Sequence, residues 1–98
     1  MAYAKRVILN CPAGCREDLG QMVEDFLHDG VQLICAMGAD AAKIEDAVDW
    51  LVIGDGSDET RFILTSSHKD ETLENVIEFA HHFVTDDGDQ SVQIIDLT

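Results

Sequence analysis

Two short segments of this sequence combine nucleophilic or proton-carrying side chains with a cation. The first contains Cys11, Cys15 and Arg16, and the second contains Ser66, Ser67, His68 and Lys69. A cysteine close to a helix N-terminus or a cation reacts readily as a thiolate. A histidine exchanges protons near neutral pH. Thiol or phosphoryl chemistry is therefore possible where the fold joins the two groups.

The first group resembles part of the phosphocysteine loop of the IIB subunits of sugar phosphotransferase systems. In that loop a cysteine follows the first strand, and here Gly14 comes three residues after Cys11. The resemblance covers residues 11–16 and implies a phosphorylated cysteine. The family's loop continues with Ser or Thr, whereas this chain continues Cys15-Arg16-Glu17-Asp18. The low-molecular-weight phosphatase spacing is also absent, because Arg16 is only five residues after Cys11. The segment therefore identifies no family.

The elements that must position these residues alternate regularly along the chain. Short apolar runs predict strands at residues 6–10, 31–37, 61–65 and 91–97. Apolar stripes at helical spacing predict helices at residues 17–29 and 41–53, and a third that ends at about residue 84. Asp40 is a suitable N-cap for the second helix, and Ser67 with Asp70 has the outline of a capping box for the third.

This alternation predicts one α/β domain over residues 1–98, with parallel strands joined by right-handed crossovers. The expected architecture has three layers, the order β-α-β-α-β-α-β and a flavodoxin-like strand order 2-1-3-4. In that order helix one lies alone on one face of the sheet, and helices two and three lie on the other. The expected core residues are Leu33, Ile34, Val48, Ile63, Leu64, Val76 and Ile77.

Ligands of open parallel sheets bind beyond the carboxyl ends of the strands, where the strand order reverses. In the order 2-1-3-4 this point lies between strands one and three, so Cys11 and His68 are expected to be neighbours. The predicted binding residues are Cys11, Cys15, Arg16, Asp40, Ser66, Ser67, His68 and Lys69. Their spacing matches no common zinc pattern, and we predict no metal, no cofactor and no catalytic residue.

The charge balance restricts the partners of the protein. The chain has 20 acidic and 6 basic residues and a formal net charge of −14. Nucleic acid and anionic membrane are poor partners for such a surface, because both are bound through basic residues. The N-terminal apolar run, Val7 to Leu9, is too short for a signal peptide, and an odd number of cysteines is atypical of secreted disulfide frameworks. A cytoplasmic location is therefore expected.

No set of nucleophile, base and orienting group can be assembled from the sequence, so an enzyme is not predicted. We expect a non-catalytic, acidic interaction module that binds a basic protein partner. The alternative is a small-ligand, phospho- or thiol-redox protein that acts at the edge near Cys11 and His68. One helix cannot cover four strands, so strands three and four are expected to be partly bare on the helix-one side. Either the N- or C-terminal residues fold over this gap or a second subunit covers it, and a homodimer is predicted.

Overall fold

The chain forms four strands and three helices that alternate along the sequence. The computed structural model describes residues 3–11, 19–54, 56–57, 62–83, 88 and 91–96. The elements are β1 (Arg6–Asn10), α1 (Leu19–Asp29), β2 (Leu33–Met37), α2 (Ala41–Ile53), β3 (Leu64–His68), α3 (Leu73–His82) and β4 (Val92–Asp96). All paired strands are parallel, and helices cover both faces of the sheet. The predicted three-layer α/β class is confirmed.

The strands lie in the order β3-β2-β1-β4. The expected order 2-1-3-4 is corrected here, because β3 pairs with β2 rather than with β1, with Leu64 opposite Leu33. β4 pairs with the other side of β1, with Val92 opposite Arg6. Both orders belong to the doubly wound class, but the reversal of strand order now lies between β1 and β4.

The helices are also distributed differently from the expectation. The crossovers from β1 to β2 and from β2 to β3 run in the same direction, so right-handedness puts α1 and α2 on one face. α3 returns the chain past β1 and therefore lies alone on the other face. On the α1/α2 face the buried core includes Val7, Leu9, Ile34 and Ala36 of the sheet with Val23, Phe26, Ile44 and Val48 of the helices. On the α3 face it comprises Ile8, Leu33, Cys35 and Met37 with Val76 and Ala80.

Most of the predicted core is buried, and the exception lies in β3. The confirmed residues are Leu33, Ile34, Val48, Ile63 and Val76. Ile77 is partly buried and packs against the α3-face core. Leu64 was wrongly placed in the core, since it is 43% exposed. The reason is that the ladder begins three residues later than predicted, where the Leu64 N–H donates to the carbonyl of Gln32.

The helix boundaries agree with the prediction where apolar spacing sets them and differ where capping does. α2 has the predicted bounds and ends at Gly54, whose φ is 63°. Asp40 precedes α2 but makes no side-chain capping bond. The predicted capping box is wrong, because Ser67 lies in β3 and the N-cap of α3 is Thr72, whose hydroxyl accepts the N–H of Asn75 at 3.2 Å.

Residues 17 and 18, where helix one was predicted to begin, lie outside the described residues. Among the helices that the structure describes, none combines the length and the apolar character needed to cross a membrane.

Candidate functional site

The structure describes six of the eight predicted binding residues. Cys15 and Arg16 lie outside the described residues. Cys11 directly follows β1, is fully buried, and its N–H donates to the carbonyl of Met37 at 3.0 Å. Asp40 immediately precedes α2 and is half-buried. The remaining four were expected in a turn, but Ser66, Ser67 and His68 belong to β3 and only Lys69 follows it.

Cys11 and His68 do not form one site. Cys11 packs in the core on the α1/α2 face. His68 is paired with Met37 of β2, which belongs to the core on the α3 face. Paired residues of parallel strands point to the same side of the sheet, so the two residues lie on opposite faces and β2 separates their strands. The expected Cys11–His68 edge is overturned, because β3 does not lie beside β1.

His68 instead forms a hydrogen-bonded chain with two nearby side chains. Its ring is only 6% exposed. The hydroxyl of Ser66 lies 2.8 Å from His68 Nε2, and Oε2 of Glu71 lies 2.8 Å from His68 Nδ1. Phe79 of α3 packs against the same imidazole with the ring centroids 4.6 Å apart. Sequence reasoning named Ser66 and His68 but missed Glu71, whose position depends on the turn between His68 and Glu71.

The groups in this chain have a consistent direction of donation. A carboxylate only accepts, so His68 Nδ1–H donates to Glu71, and in the neutral imidazole this tautomer leaves Nε2 to accept the hydroxyl proton of Ser66. Cys35 is paired with Ser66 in the neighbouring strand. Burial raises the pKa of the Cys35 thiol, the nearby Ser66 hydroxyl opposes this change, and the charge of Glu71 adds to it.

The order Ser66, His68, Glu71 is that of a nucleophile, a general base and an orienting carboxylate. Acyl transfer also requires donors for an oxyanion and a cavity for the substrate. The described part of the chain encloses no such cavity. The hydrogen bond between His68 and Glu71 spans the turn after β3, in which Asp70 adopts a φ of 64°. This bond holds the end of β3 against the start of α3.

Arg6 is a second buried ionisable residue besides His68, and sequence reasoning did not identify it. It is fully buried in β1, and its Nε and Nη2 donate to the Phe83 carbonyl at 2.9 and 2.5 Å. Phe83 is the C-cap of α3, so the cation lies at the negative end of the helix dipole. Nη1 has no hydrogen-bond partner among the described residues. A charged residue within an apolar strand was the available signal for this role.

Two carboxylates lie beside β3 on its α2 side. The Thr65 hydroxyl lies 2.5 Å from Oδ1 of Asp49 and 3.4 Å from Oε2 of Glu45. One hydroxyl proton satisfies one acceptor at a time, so Thr65 donates to only one of the two carboxylates at once. In the described residues these groups and Asp40 include no cluster that could hold a metal ion.

β3 is an edge strand with apolar neighbours. Its five residues, Leu64–His68, include no Asp, Glu, Lys, Arg or Pro, and its one histidine is buried on the α3 side. Phe62 just before it is 72% exposed, and Phe79, which packs on His68, is 44% exposed. We define the β3 edge surface as Phe62, Leu64, Thr65, Ser67 and Phe79. It is the described surface that combines exposed aromatic groups with an open strand.

Comparison with known proteins gives a family and no function. A model of the family described as "Domain of unknown function (DUF7684)" matches residues 7–97. This range includes every strand of the sheet except the first residue of β1, and all three helices. No curated protein and no solved structure matches the chain.

Proposed function

We propose that this chain, which belongs to the DUF7684 family of domains of unknown function, is a non-catalytic binding module that presents its β3 edge surface to a basic protein partner. The observation that carries the proposal is an edge strand that no described residue pairs on its outer side, with exposed aromatic residues beside it. Natural sheets usually protect an edge with charged side chains or proline. β3 has no Asp, Glu, Lys, Arg or Pro, although the chain carries 20 acidic residues.

The composition of this surface suits protein recognition. Aromatic anchors at the centre of an interface account for much of its binding energy, and Phe62 and Phe79 supply such groups. Glu45 and Asp49 lie on one side of the edge and Glu71 contacts His68 on the other. These acids form a charged rim, which together with the net charge of −14 accelerates encounters with a basic partner.

Titration with a cationic, apolar peptide tests this function. We expect saturable binding that weakens as salt increases, and loss of binding when Phe62 and Phe79 are replaced by serine. The matched control is Trp50→Ser, because Trp50 is also an exposed aromatic residue but belongs to α2 and not to the β3 edge surface. Absence of saturable binding, or equal loss in the Trp50 variant, would exclude this surface as the binding site.

A second candidate function is small-ligand or acyl-transfer chemistry at Ser66, and the hydrogen-bonded order of Ser66, His68 and Glu71 favours it. This is the part of the small-ligand alternative that does not require Cys11. Hydrolysis of p-nitrophenyl acetate distinguishes the two candidates. A binding module gives the same rate before and after Ser66→Ala, whereas a hydrolase loses its turnover in that variant.

We also propose a cytoplasmic location, because the described cysteines, Cys11 and Cys35, are both free thiols in the core. Reducing compartments keep such thiols from oxidising. Fractionation of cells that express the tagged protein at native level tests the location.

A further inference from the structure

We infer that the β3 edge surface binds an extended segment of the partner as an added strand, and that this segment alternates apolar residues with lysine or arginine. The inference rests on the proposed binding function and specifies the chemistry of the partner. It follows from three properties of β3, which are its open backbone, its apolar side and its acidic side.

Within the part of the chain that the structure describes, no strand pairs with the outer side of the β3 backbone. In a parallel ladder, alternate residues of an edge strand bond the neighbouring strand through both N–H and C=O. Leu64 bonds β2, because its N–H donates to the Gln32 carbonyl at 3.1 Å. The N–H and C=O groups of Thr65 and Ser67 therefore point away from β2, where no described residue bonds them. These groups are a template for an added strand.

The two sides of this edge differ in chemistry. Leu64 and His68 belong to the α3 side, where the ring of Phe79 packs on His68 and remains partly exposed. Thr65 belongs to the other side, where its hydroxyl contacts the carboxylates of Glu45 and Asp49 on α2. Successive side chains of a strand point to opposite faces. An added strand therefore places alternate residues against an apolar and against an acidic side, which selects a period of two.

The acidic side favours a different, basic chain over a second copy of this protein. An edge-to-edge pair of two copies related by a twofold axis brings the Glu45 and Asp49 groups of both copies to the same side of a continuous sheet. Each copy also carries a net charge of −14. Like charges across such an interface oppose pairing, whereas lysine or arginine residues of a partner segment compensate them.

Three synthetic nine-residue peptides test the inference on the intact protein. The first alternates leucine and lysine, the second has the same composition with all leucines before all lysines, and the third alternates leucine and glutamate. Binding is measured by calorimetry and by amide hydrogen exchange. We expect the first peptide to bind at least about tenfold more tightly than the second. We also expect it to protect the amides of Thr65 and Ser67, and the third peptide not to bind.

Two pairs of variants locate the contact. Ser67→Pro removes an outward N–H and Ser67→Ala retains it, so only the first is expected to weaken binding by about tenfold or more.

Glu45→Gln and Asp46→Asn each remove one charge from α2. Of these two residues Glu45 is the one that contacts Thr65 of β3, so only Glu45→Gln is expected to weaken binding and to reduce its salt dependence. Circular dichroism verifies that each variant is folded. If Ser67→Pro does not fold, the comparison of Glu45→Gln with Asp46→Asn tests the inference instead.

The outcomes separate the inference from the proposed function. Equal binding of the alternating and block lysine peptides, without protection of Thr65 and Ser67, overturns strand addition but leaves an acidic binding module. Failure of both lysine peptides to bind rejects the module as well as the added strand. Dimerisation that Ser67→Pro abolishes assigns the edge to a second copy and overturns the inference.

Discussion

His68 Nδ1 lies 2.8 Å from Oε2 of Glu71, so one hydrogen bond joins the last residue of β3 to a residue just before α3. The intervening turn contains Asp70 in the left-handed region, which is unfavourable for a residue other than glycine. Glu71→Ala removes the acceptor, and we expect the free energy of unfolding to fall by about 1 kcal/mol. The value is modest because the Glu71 side chain is 43% exposed and water competes for the imidazole.

Urea denaturation measures this change. Glu78→Ala is the control, because Glu78 is an exposed residue of α3 and its substitution should change stability by less than about 0.5 kcal/mol. Equal effects of the two substitutions would show that the His68–Glu71 hydrogen bond does not stabilise the fold.

Leu33 and Leu64 form a matched pair for testing the position of β3. They are opposite each other in neighbouring strands, but Leu33 is fully buried and Leu64 is partly exposed. Leu33→Ala should cost about 2 to 5 kcal/mol, because it opens a cavity in the α3-face core. Leu64→Ala should cost about 1 kcal/mol or less, since it removes less buried surface. Equal costs in chemical denaturation would place β3 inside the sheet rather than at its edge.

The sequence was informative where apolar spacing is continuous. β1 and α2 have the predicted bounds, because Arg6–Asn10 is a short run between polar turns and Ala41–Ile53 keeps helical spacing up to Gly54. β3 was placed three residues too early, because Phe62 and Ile63 have stronger strand propensity than the serines that actually form it. A strand read as apolar was given a central position, whereas the true strand, with Ser66 and Ser67, suits an edge. The incorrect strand order has a different origin, because 2-1-3-4 is the commonest flavodoxin-like arrangement and the alternation of elements does not distinguish it from the observed order.

The candidate site was predictable by residue type but not by geometry. Ser66 and His68 were identified because they can transfer protons, yet their actual contacts depend on the strand alternation that puts both on the α3 side. Glu71 reaches His68 only through the left-handed turn at Asp70, which no local pattern specifies. The contact between Arg6 and the C-terminus of α3 depends on the strand order, which a single sequence does not determine.

Salt should stabilise the protein at neutral pH. Repulsion among the charges that give the net value of −14 opposes the compact state, and added ions screen this repulsion. We expect the melting temperature to rise as sodium chloride increases from low to high concentration, as measured by circular dichroism. A constant or falling melting temperature would show that the acidic groups are already compensated in the folded chain.

The described cysteines should react slowly in the folded protein. The place of Cys11 directly after the first strand predicts the most reactive of the three thiols, but Cys11 is as fully buried as Cys35. Timed alkylation with mass spectrometry should give much lower rates for both residues in buffer than in urea, because only exposed thiolates react. Rapid labelling of either thiol in buffer would contradict their burial.

Cys35 should also affect stability at high pH. Burial raises its pKa above the ordinary value of 9.0 in the folded state. Its contribution is therefore complete below that value and is lost as the pH rises toward the folded-state pKa, because the unfolded thiol then ionises first. The free energy of unfolding of the parent protein should fall more steeply between pH 8 and about pH 10 than that of Cys35→Ala. Equal slopes would contradict the raised pKa.

A homodimer remains a prediction, and the structure changes the surface on which it rests. α3 alone covers its face of the sheet, and on that face Leu64 of β3 and Ile94 of β4 are 43% and 40% exposed. The bare strands are those expected from the sequence, but they are bare on the α3 side rather than on the α1 side. A twofold contact over Ile94 would bury the same apolar surface on both copies and leave the β3 edge open.

Charge opposes this dimer, so its stability should depend on salt. Two copies at −14 repel each other, and screening should shift the equilibrium toward the dimer. Sedimentation equilibrium should show mostly monomer at low salt and increasing dimer at high salt, and Ile94→Ser should shift the equilibrium back toward monomer. Trp50→Ser is the control, because Trp50 is exposed on α2, on the opposite face of the sheet. A monomer at every salt and at high protein concentration would exclude the dimer and leave the α3 face for contacts with a different protein.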